Sequence, residues 1–279
     1  MKHLIPAAFR RHQVTIDLVG CGGTGSLLLT ELARLDVSLR ASGHPEGLHV
    51  TVWDPDVVTE ANVARTLFGA SDIGQLKASC LVTRINTVYG LHWLGLGRKY
   101  EHPYWHMGRG GAAPDLVITT TDTLASRAEL YLAMRDSSRP PPRYWLDCGN
   151  DAETGQVVLG EPDWWGEERE RPHRLRTVVD FFPDMLDRAQ DEEPEPPSCS
   201  LAGALDRQAL FINRHCASWA GELLWRLFRD GGLEWHGVFI NARSGRVNPI
   251  PVETPDPADV ERRVQELLAG AKALAGAEA

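Results

Sequence analysis

Gly20-Cys21-Gly22-Gly23-Thr24-Gly25 is the stretch of this 279-residue chain whose spacing most directly implies chemistry. Gly20, Gly22 and Gly25 make a Gly-x-Gly-x-x-Gly series directly after the β-branched run Val14–Val19 and directly before a helical pattern. Between a strand and a helix, such a series gives a tight turn. It also lets a phosphate approach backbone N–H groups at the helix N-terminus. The competing reading is a glycine turn needed only to pack helix against strand. An acid at the end of the following strand accepts a hydrogen bond from a ribose hydroxyl in such sites, and Asp54 closes the strand-like run Leu48–Trp53. An NAD-dependent Rossmann oxidoreductase would use Gly20, Gly22, Gly25 and Asp54 in the same way.

The residues after Asp54 separate the two uses. Asp54-Pro55-Asp56-Val57-Val58 leads to Asn62-Val63-Ala64-Arg65-Thr66-Leu67-Phe68 and then to Asp72-Ile73-Gly74-Gln75-Leu76-Lys77-Ala78. Thr121-Asp122 comes later, with Arg127 after it. This ordered set resembles the ATP site of the ThiF, MoeB and ubiquitin-activating family. That family carries an acid-x-acid strand end, an Asn-x-x-Arg segment, a Gly-x-x-Lys-Ala helix start and a metal-binding aspartate with a neighbouring arginine. The resemblance runs from about Gln13 to Arg127 and returns near Tyr144–Gly160 and Pro196–Phe228. Within the family, Cys199–His236 looks most like the ThiF-like proteins of plasmid-borne PRTRC gene clusters.

The resemblance implies an enzyme that uses ATP and Mg²⁺ to adenylate a C-terminal carboxylate, often Gly-Gly, of a small ubiquitin-like or sulfur-carrier protein of β-grasp type. It also implies a homodimer. Carried onto this sequence, it makes Arg65 and Lys77 the phosphate-facing cations and Asp122 the metal holder. Asp54 takes the ribose, Asp56 and Asn62 shape the pocket, and Gly20, Gly22, Gly23 and Gly25 form the phosphate loop. Adenylation gathers negative charge on phosphate oxygens and departing pyrophosphate, so cations, backbone donors and a metal are the groups it needs. Singly, Arg65 and Lys77 read equally well as solvated surface charges and Asp122 as a helix N-cap; their order carries the argument. This chain departs from the family at Thr66, which stands where relatives usually have Gln and has less reach toward the γ-phosphate region. Relatives also borrow an arginine from the partner subunit, a part open to Arg10 or Arg11.

Pro197-Ser198-Cys199-Ser200-Leu201 resembles the Pro-x-Cys-Thr segment that holds the thioester cysteine of ubiquitin-activating enzymes. A thiolate near a helix N-terminus attacks an acyl-adenylate readily, although many ThiF-like adenylators use no thioester and a lone Cys commonly packs as a small hydrophobe. Cys21, Cys80, Cys148 and Cys216 read as packing residues, with Cys148 also placed to line the pocket. The five cysteines are odd in number, widely spaced and without a C-x-x-C pair, so neither a disulfide framework nor a structural zinc site is expected. The ten histidines form no metal constellation.

The elements that position these residues alternate. Val14–Val19, Leu48–Trp53 and Asp115–Thr119 read as strands, and another begins at Tyr144–Leu146. Helical patterns run from the glycine loop through Arg34, over Ala78–Tyr89 and from Leu124 to Met134. This predicts a Rossmann-like, doubly wound, mainly parallel sheet with helices on both faces. The whole chain reads as one domain, with residues 1–160 as its nucleotide-binding half. Residues 161–200 form an acidic crossover whose Pro-, Glu-, Asp- and Arg-rich composition suits a surface excursion with Trp164 and Trp165. Residues 201–279 supply a long helix over Gln208–Phe228, a hairpin from Leu233–Ile240 and Val247–Val252, and a terminal helix over Pro257–Ala279.

A net charge of −9 argues against a nucleic-acid-coating surface. No signal-like opening and no apolar run of about 20 residues occurs, so a soluble, cytoplasmic protein is expected. A third class, a degenerate module that binds nucleotide without turning it over, fits Thr66 and the absent zinc cysteines.

Overall fold

Short aliphatic runs without polar alternation mark strands covered on both faces. The computed structural model describes residues 1–63, 66–100, 113–135, 141–162, 174–189 and 209–253. After a two-residue strand β1 (His3–Leu4) come β2 (Val14–Val19), β3 (Leu48–Trp53), β4 (Leu94–Leu96), β5 (Leu116–Thr119) and β6 (Tyr144–Asn150). β2 pairs in parallel with β3 on one side, Val19 opposite Trp53, and with β5 on the other, Val19 opposite Thr119. β4 extends the sheet beyond β3, and β6 extends it beyond β5.

The remaining strands are β7 (Thr154–Gly160), β8 (Gly232–Leu233), β9 (Trp235–Asn241) and β10 (Arg246–Pro251). β7, β9 and β10 continue the sheet in antiparallel fashion, giving the order β10-β9-β7-β6-β5-β2-β3-β4. The Rossmann-like α/β expectation holds. The hairpin expected near the C-terminal end is part of the main sheet, not an appendage, and β1 and β8 form a small antiparallel pair of their own.

Helices cover both faces. On one lie α1 (Gly23–Ala41), α2 (Lys77–Tyr89) and, in the C-terminal part, Ile212–Asp230. On the other lie α3 (Leu124–Arg135), α4 (Val178–Phe181) and α5 (Met185–Arg188); Ile212–Asp230 is α6. α1 extends past Arg34 because Leu35 and Leu39 continue its buried stripe and Asp36 finds partners there. The Asp36 carboxylate accepts from Leu48 N at 2.6 Å and from Arg40 Nε at 3.2 Å. α2 stops at Gly90 and α6 at Gly231, both in the left-handed conformation that favours glycine at a helix C-terminus.

The acidic middle differs from its composition. Val178, Val179 and Met185 are buried in the cluster shared with α3 and β7, and Leu175 is buried in the other, larger core. Glu161, also buried, accepts from Leu175 N at 2.9 Å, and Asp180 holds Arg174 through two bonds of 2.7 Å. Apolar residues three or four apart thus turn residues 174–189 inward where local charge pointed outward. Trp164, Trp165, Cys199 and the expected Pro257–Ala279 helix lie outside the described residues. Among the described residues, no helix is long and apolar enough to cross a membrane.

Candidate functional site

The chain leaves β2 toward β3 on one side and later returns to β5 on the other, so strand order reverses between β2 and β5. Open α/β sheets bind ligands in the crevice at such a point, beyond the carboxyl ends of the strands. Here the crevice begins at Gly20. Its φ of +92° is one that side chains rarely adopt, and its carbonyl accepts from Thr120 Oγ1 at 2.8 Å. A Cβ on Gly25 would collide with that same carbonyl and with Thr120 Oγ1, while one on Gly23 would meet Asn213 Oδ1 at 2.6 Å. A Cβ on Gly22 would meet nothing within 4 Å. Packing therefore accounts for glycine at 20, 23 and 25. At Gly22 the protein itself imposes no such limit, and the open space belongs to the crevice.

The acid-x-acid strand end comes next. Asp54 is buried; its Oδ2 accepts from Cys21 N in the glycine loop at 2.6 Å, and its Oδ1 from Asp56 N at 2.9 Å. Burial pushes the Asp54 carboxyl up despite Lys77 and these two donors. Asp54 is thus a brace of the loop as well as a wall of the crevice. Lys77, at the first position of α2, lies 91% buried and places Nζ 2.8 Å from Asp56 Oδ2. Both line the crevice. Asn62 lines it too, while its Oδ1 accepts from Thr59 N at 2.9 Å. The Thr66 hydroxyl is committed locally, donating to Asn62 O at 2.6 Å and accepting from Phe68 N at 3.1 Å. Arg65 lies outside the described residues.

Opposite the glycine loop, Asp122 is exposed, lines the crevice and makes no side-chain hydrogen bond among the described residues. The helix-cap reading falls to its neighbour: Thr123 Oγ1 accepts from Ser126 N at 3.2 Å. Among the described residues no group of three or more His, Cys, Asp or Glu is placed to hold a metal ion. Mg²⁺ is commonly held by one or two carboxylates plus substrate phosphates, so Asp122, whose carboxylate makes no side-chain hydrogen bond among the described residues, fits that ion. Arg127 is buried, lies 3.4 Å from Asp147 Oδ1 and donates from Nη2 to Thr121 O at 2.9 Å.

Together these residues line a crevice of about 490 Å³. Val19, Trp53, Tyr100, Leu130 and Ala133 give it apolar walls, with Tyr100 edge-on to Trp53 at 5.3 Å between ring centres. Flat apolar walls suit a base, and the loop amides with Lys77 suit phosphates. Sequence reading missed several polar liners, Thr24, Asn150 and Asn213 among them. Thr24 Oγ1 approaches Asn150 Oδ1 at 3.2 Å and Asn213 Oδ1 at 3.0 Å, joining α1, β6 and α6. No motif marks these asparagines; the end of a strand before a turn and the first turn of a helix are the only signals. Cys148 lines the crevice but is buried, and burial pushes its thiol well up; Cys21 and Cys216 are likewise buried with raised thiols. Cys80 is half-buried on α2. Arg10 and Arg11 are exposed and line no part of this crevice.

Residues 10–140 match the model of the ThiF family, so this segment is ThiF-like by sequence as well as by fold. No curated protein matches the chain in sequence. Among solved structures, PaaA is similar at 12% identity and a TM-score of 0.54, covering 87% of this chain and 65% of its own. MccB of E. coli with ATP is similar at 12% identity and a TM-score of 0.51, covering 90% and 67%. MccB of E. coli with AMPCPP and MccA gives 12% identity and a TM-score of 0.52, covering 90% and 66%. The chain spans about two thirds of the length of these structures. At such identities the likeness is one of fold.

Proposed function

We propose that this protein uses ATP to adenylate a carboxylate on a peptide or small protein. The reading rests first on one observation: Lys77, buried and 2.8 Å from Asp56, faces a crevice whose glycine loop has open space at Gly22. The ThiF-like segment and the likeness in fold to MccB, solved with ATP and with AMPCPP and MccA, support it. A carboxylate oxygen of the substrate attacks the α-phosphorus, the bond to the β-phosphate oxygen breaks, and pyrophosphate departs. Loop amides and Lys77, with Arg65, stabilise the charge that gathers on these oxygens. Asp122 would hold Mg²⁺, which supplies charge neutralisation on the phosphates when bound.

The finer proposal is that the substrate is the C-terminal tail of a small ubiquitin-like or sulfur-carrier protein, handled by a cytoplasmic homodimer in which Arg10 or Arg11 serves the partner's crevice. Cys199 then takes the acyl group as a thioester, its sulfur attacking the carbonyl carbon as AMP leaves. A neighbouring gene for a β-grasp protein within a PRTRC-type cluster would support this. The direct test is ATP–pyrophosphate exchange in the presence of such a carrier. Wild type should exchange, and Lys77→Ala should lose about 10²-fold or more while keeping its fold. Full exchange by Lys77→Ala refutes the site. A second reading, nucleotide binding without turnover, is favoured by the locally committed Thr66 hydroxyl. ATP protection with no exchange across candidate carriers would select it.

A further inference from the structure

We infer that Arg127 and Asp147 are a buried positioning pair that sets where Asp122 presents its carboxylate to a nucleotide-bound divalent cation. The inference rests on the adenylation reading for the cation and adds two residues that do not themselves touch it. It starts from the run Thr119-Thr120-Thr121-Asp122-Thr123, which leaves β5 and enters α3.

Each threonine of that run is held, three through the hydroxyl and Thr121 through its carbonyl. Thr119 Oγ1 donates to Asp147 Oδ1 at 2.8 Å and accepts from Trp145 Nε1 at 2.9 Å. Thr120 donates from N to Val19 O at 2.9 Å and from Oγ1 to Gly20 O at 2.8 Å. The Thr121 carbonyl accepts from Arg127 Nη2 at 2.9 Å, and Thr123 caps α3 through Ser126. Within the run, the Thr121 hydroxyl is buried without a partner, and the Asp122 carboxylate, which is exposed, makes no side-chain hydrogen bond among the described residues. The loop is fixed on both sides of the carboxylate that it turns toward the crevice.

Arg127 closes this arrangement. It sits in the first turn of α3 and reaches back beneath the loop to the carbonyl just before Asp122, while Asp147 on β6 holds its guanidinium. Both side chains are more than nine-tenths buried, yet Arg127 Nε and Asp147 Oδ2 have no hydrogen-bond partner and the closest approach is 3.4 Å. A buried pair needs close geometry and satisfied remaining atoms to repay desolvation. This pair is therefore a poor stabiliser, and its place under the Asp122 loop gives it a positional use. Groups that orient a metal ligand without touching the metal typically affect metal affinity by about 10–100-fold.

The test uses the full chain and two binding readouts: Mn²⁺ affinity of the ATP complex by electron paramagnetic resonance, and ATP affinity without metal by calorimetry. Arg127→Lys keeps the charge but loses the fork that reaches both Asp147 and Thr121 O. It should weaken Mn²⁺ binding by about tenfold or more while leaving metal-free ATP affinity within about twofold. Asp122→Asn should abolish the Mn²⁺ response. If Asp122→Asn abolishes it and Arg127→Lys leaves it intact, the positioning role is overturned and the metal reading stands. If Asp122→Asn keeps the wild-type response, the metal reading fails and the positioning role with it. Equal loss of Mn²⁺ and metal-free ATP binding in Arg127→Lys would mark a merely structural residue. Should Arg127→Lys not fold, Thr119→Val, which removes the hydroxyl that donates to Asp147 and accepts from Trp145 Nε1, carries the same test in the same direction.

Discussion

The parallel half of the sheet, β4-β3-β2-β5-β6, and the antiparallel half, β7-β9-β10, draw on similar residues and do different work. Parallel neighbours need long crossovers, so their connecting loops leave the sheet at one shared edge. Gly20, Asp54, Thr120 and Asn150 all arrive there, and the crevice is their meeting place. Antiparallel neighbours turn back at alternate edges, as β9 does through Ser244-Gly245 into β10. Apart from Asn150, at the turn from β6 into β7, the residues of these turns line no part of the crevice. β10 leaves most of its residues exposed and carries Pro249 and Pro251, which blunt an edge against further pairing. Connection type, more than composition, decides which half holds chemistry.

Two alanines inside the glycine loop offer the sharpest way to break that contrast. Gly25→Ala drives a Cβ onto the Gly20 carbonyl and Thr120 Oγ1. Overpacking of this kind costs about 1–3 kcal/mol or more, less about 1 kcal/mol regained from helix propensity. Because the nearest obstacle is backbone, which cannot swing aside, the upper end applies, and a net loss of about 2 kcal/mol should appear as a lower urea midpoint. Gly22→Ala points into open crevice, so stability should change by less than about 1 kcal/mol while ATP affinity falls about tenfold. Equal destabilisation by both would mean that the loop serves packing alone.

A smaller effect concerns the other half. Asp180 joins Arg174 and Thr177 in the stretch that covers β7, accepting from Thr177 N at 2.6 Å and Thr177 Oγ1 at 2.8 Å. Burial acts to raise its carboxyl, but Arg174 and the Thr177 donors prevail and hold it below the usual range. A depressed folded-state value means that stability from this group is complete above about pH 4 and is lost as pH falls through the folded value. Asp180→Asn should cost about 1–2 kcal/mol at neutral pH. That gap to wild type should narrow on acidification, with ATP affinity unchanged. A loss of ATP affinity would join the two halves functionally and undo the distinction.

The parallel half was legible because its strands are unbroken aliphatic runs and its loops carry spaced glycines and acids. Val14–Val19 and Leu48–Trp53 form strands with the bounds that the runs imply. β7 was not legible. Gly155 and Gly160 interrupt its apolar pattern because other elements pass closely there: a Cβ at Gly155 would meet Cys216 Sγ at 2.6 Å, and one at Gly160 would meet Thr177. The same holds within the site. Asp54, Asp56, Asn62, Lys77 and Asp122 stood in a readable order, whereas Asn150, Asn213 and Asp147 enter through tertiary contacts that leave no local spacing.

The least expected effect contrasts the crevice's two lysines. Lys99 also lines it, but Lys99 and Glu129 are 65% and 62% exposed and pair at 2.8 Å in solvent. Water and salt screen such a pair, leaving about 0.2–1 kcal/mol. Lys77 has a similar Nζ–carboxylate distance but an 11% exposed side chain, so its field on a bound phosphate is far less screened. Lys99→Ala should therefore lower stability by less than about 1 kcal/mol and pyrophosphate exchange by no more than a few-fold, with both differences shrinking in high salt. A Lys99→Ala enzyme as inactive as Lys77→Ala would show that burial is not what distinguishes the two cations, and that the phosphates extend toward α3.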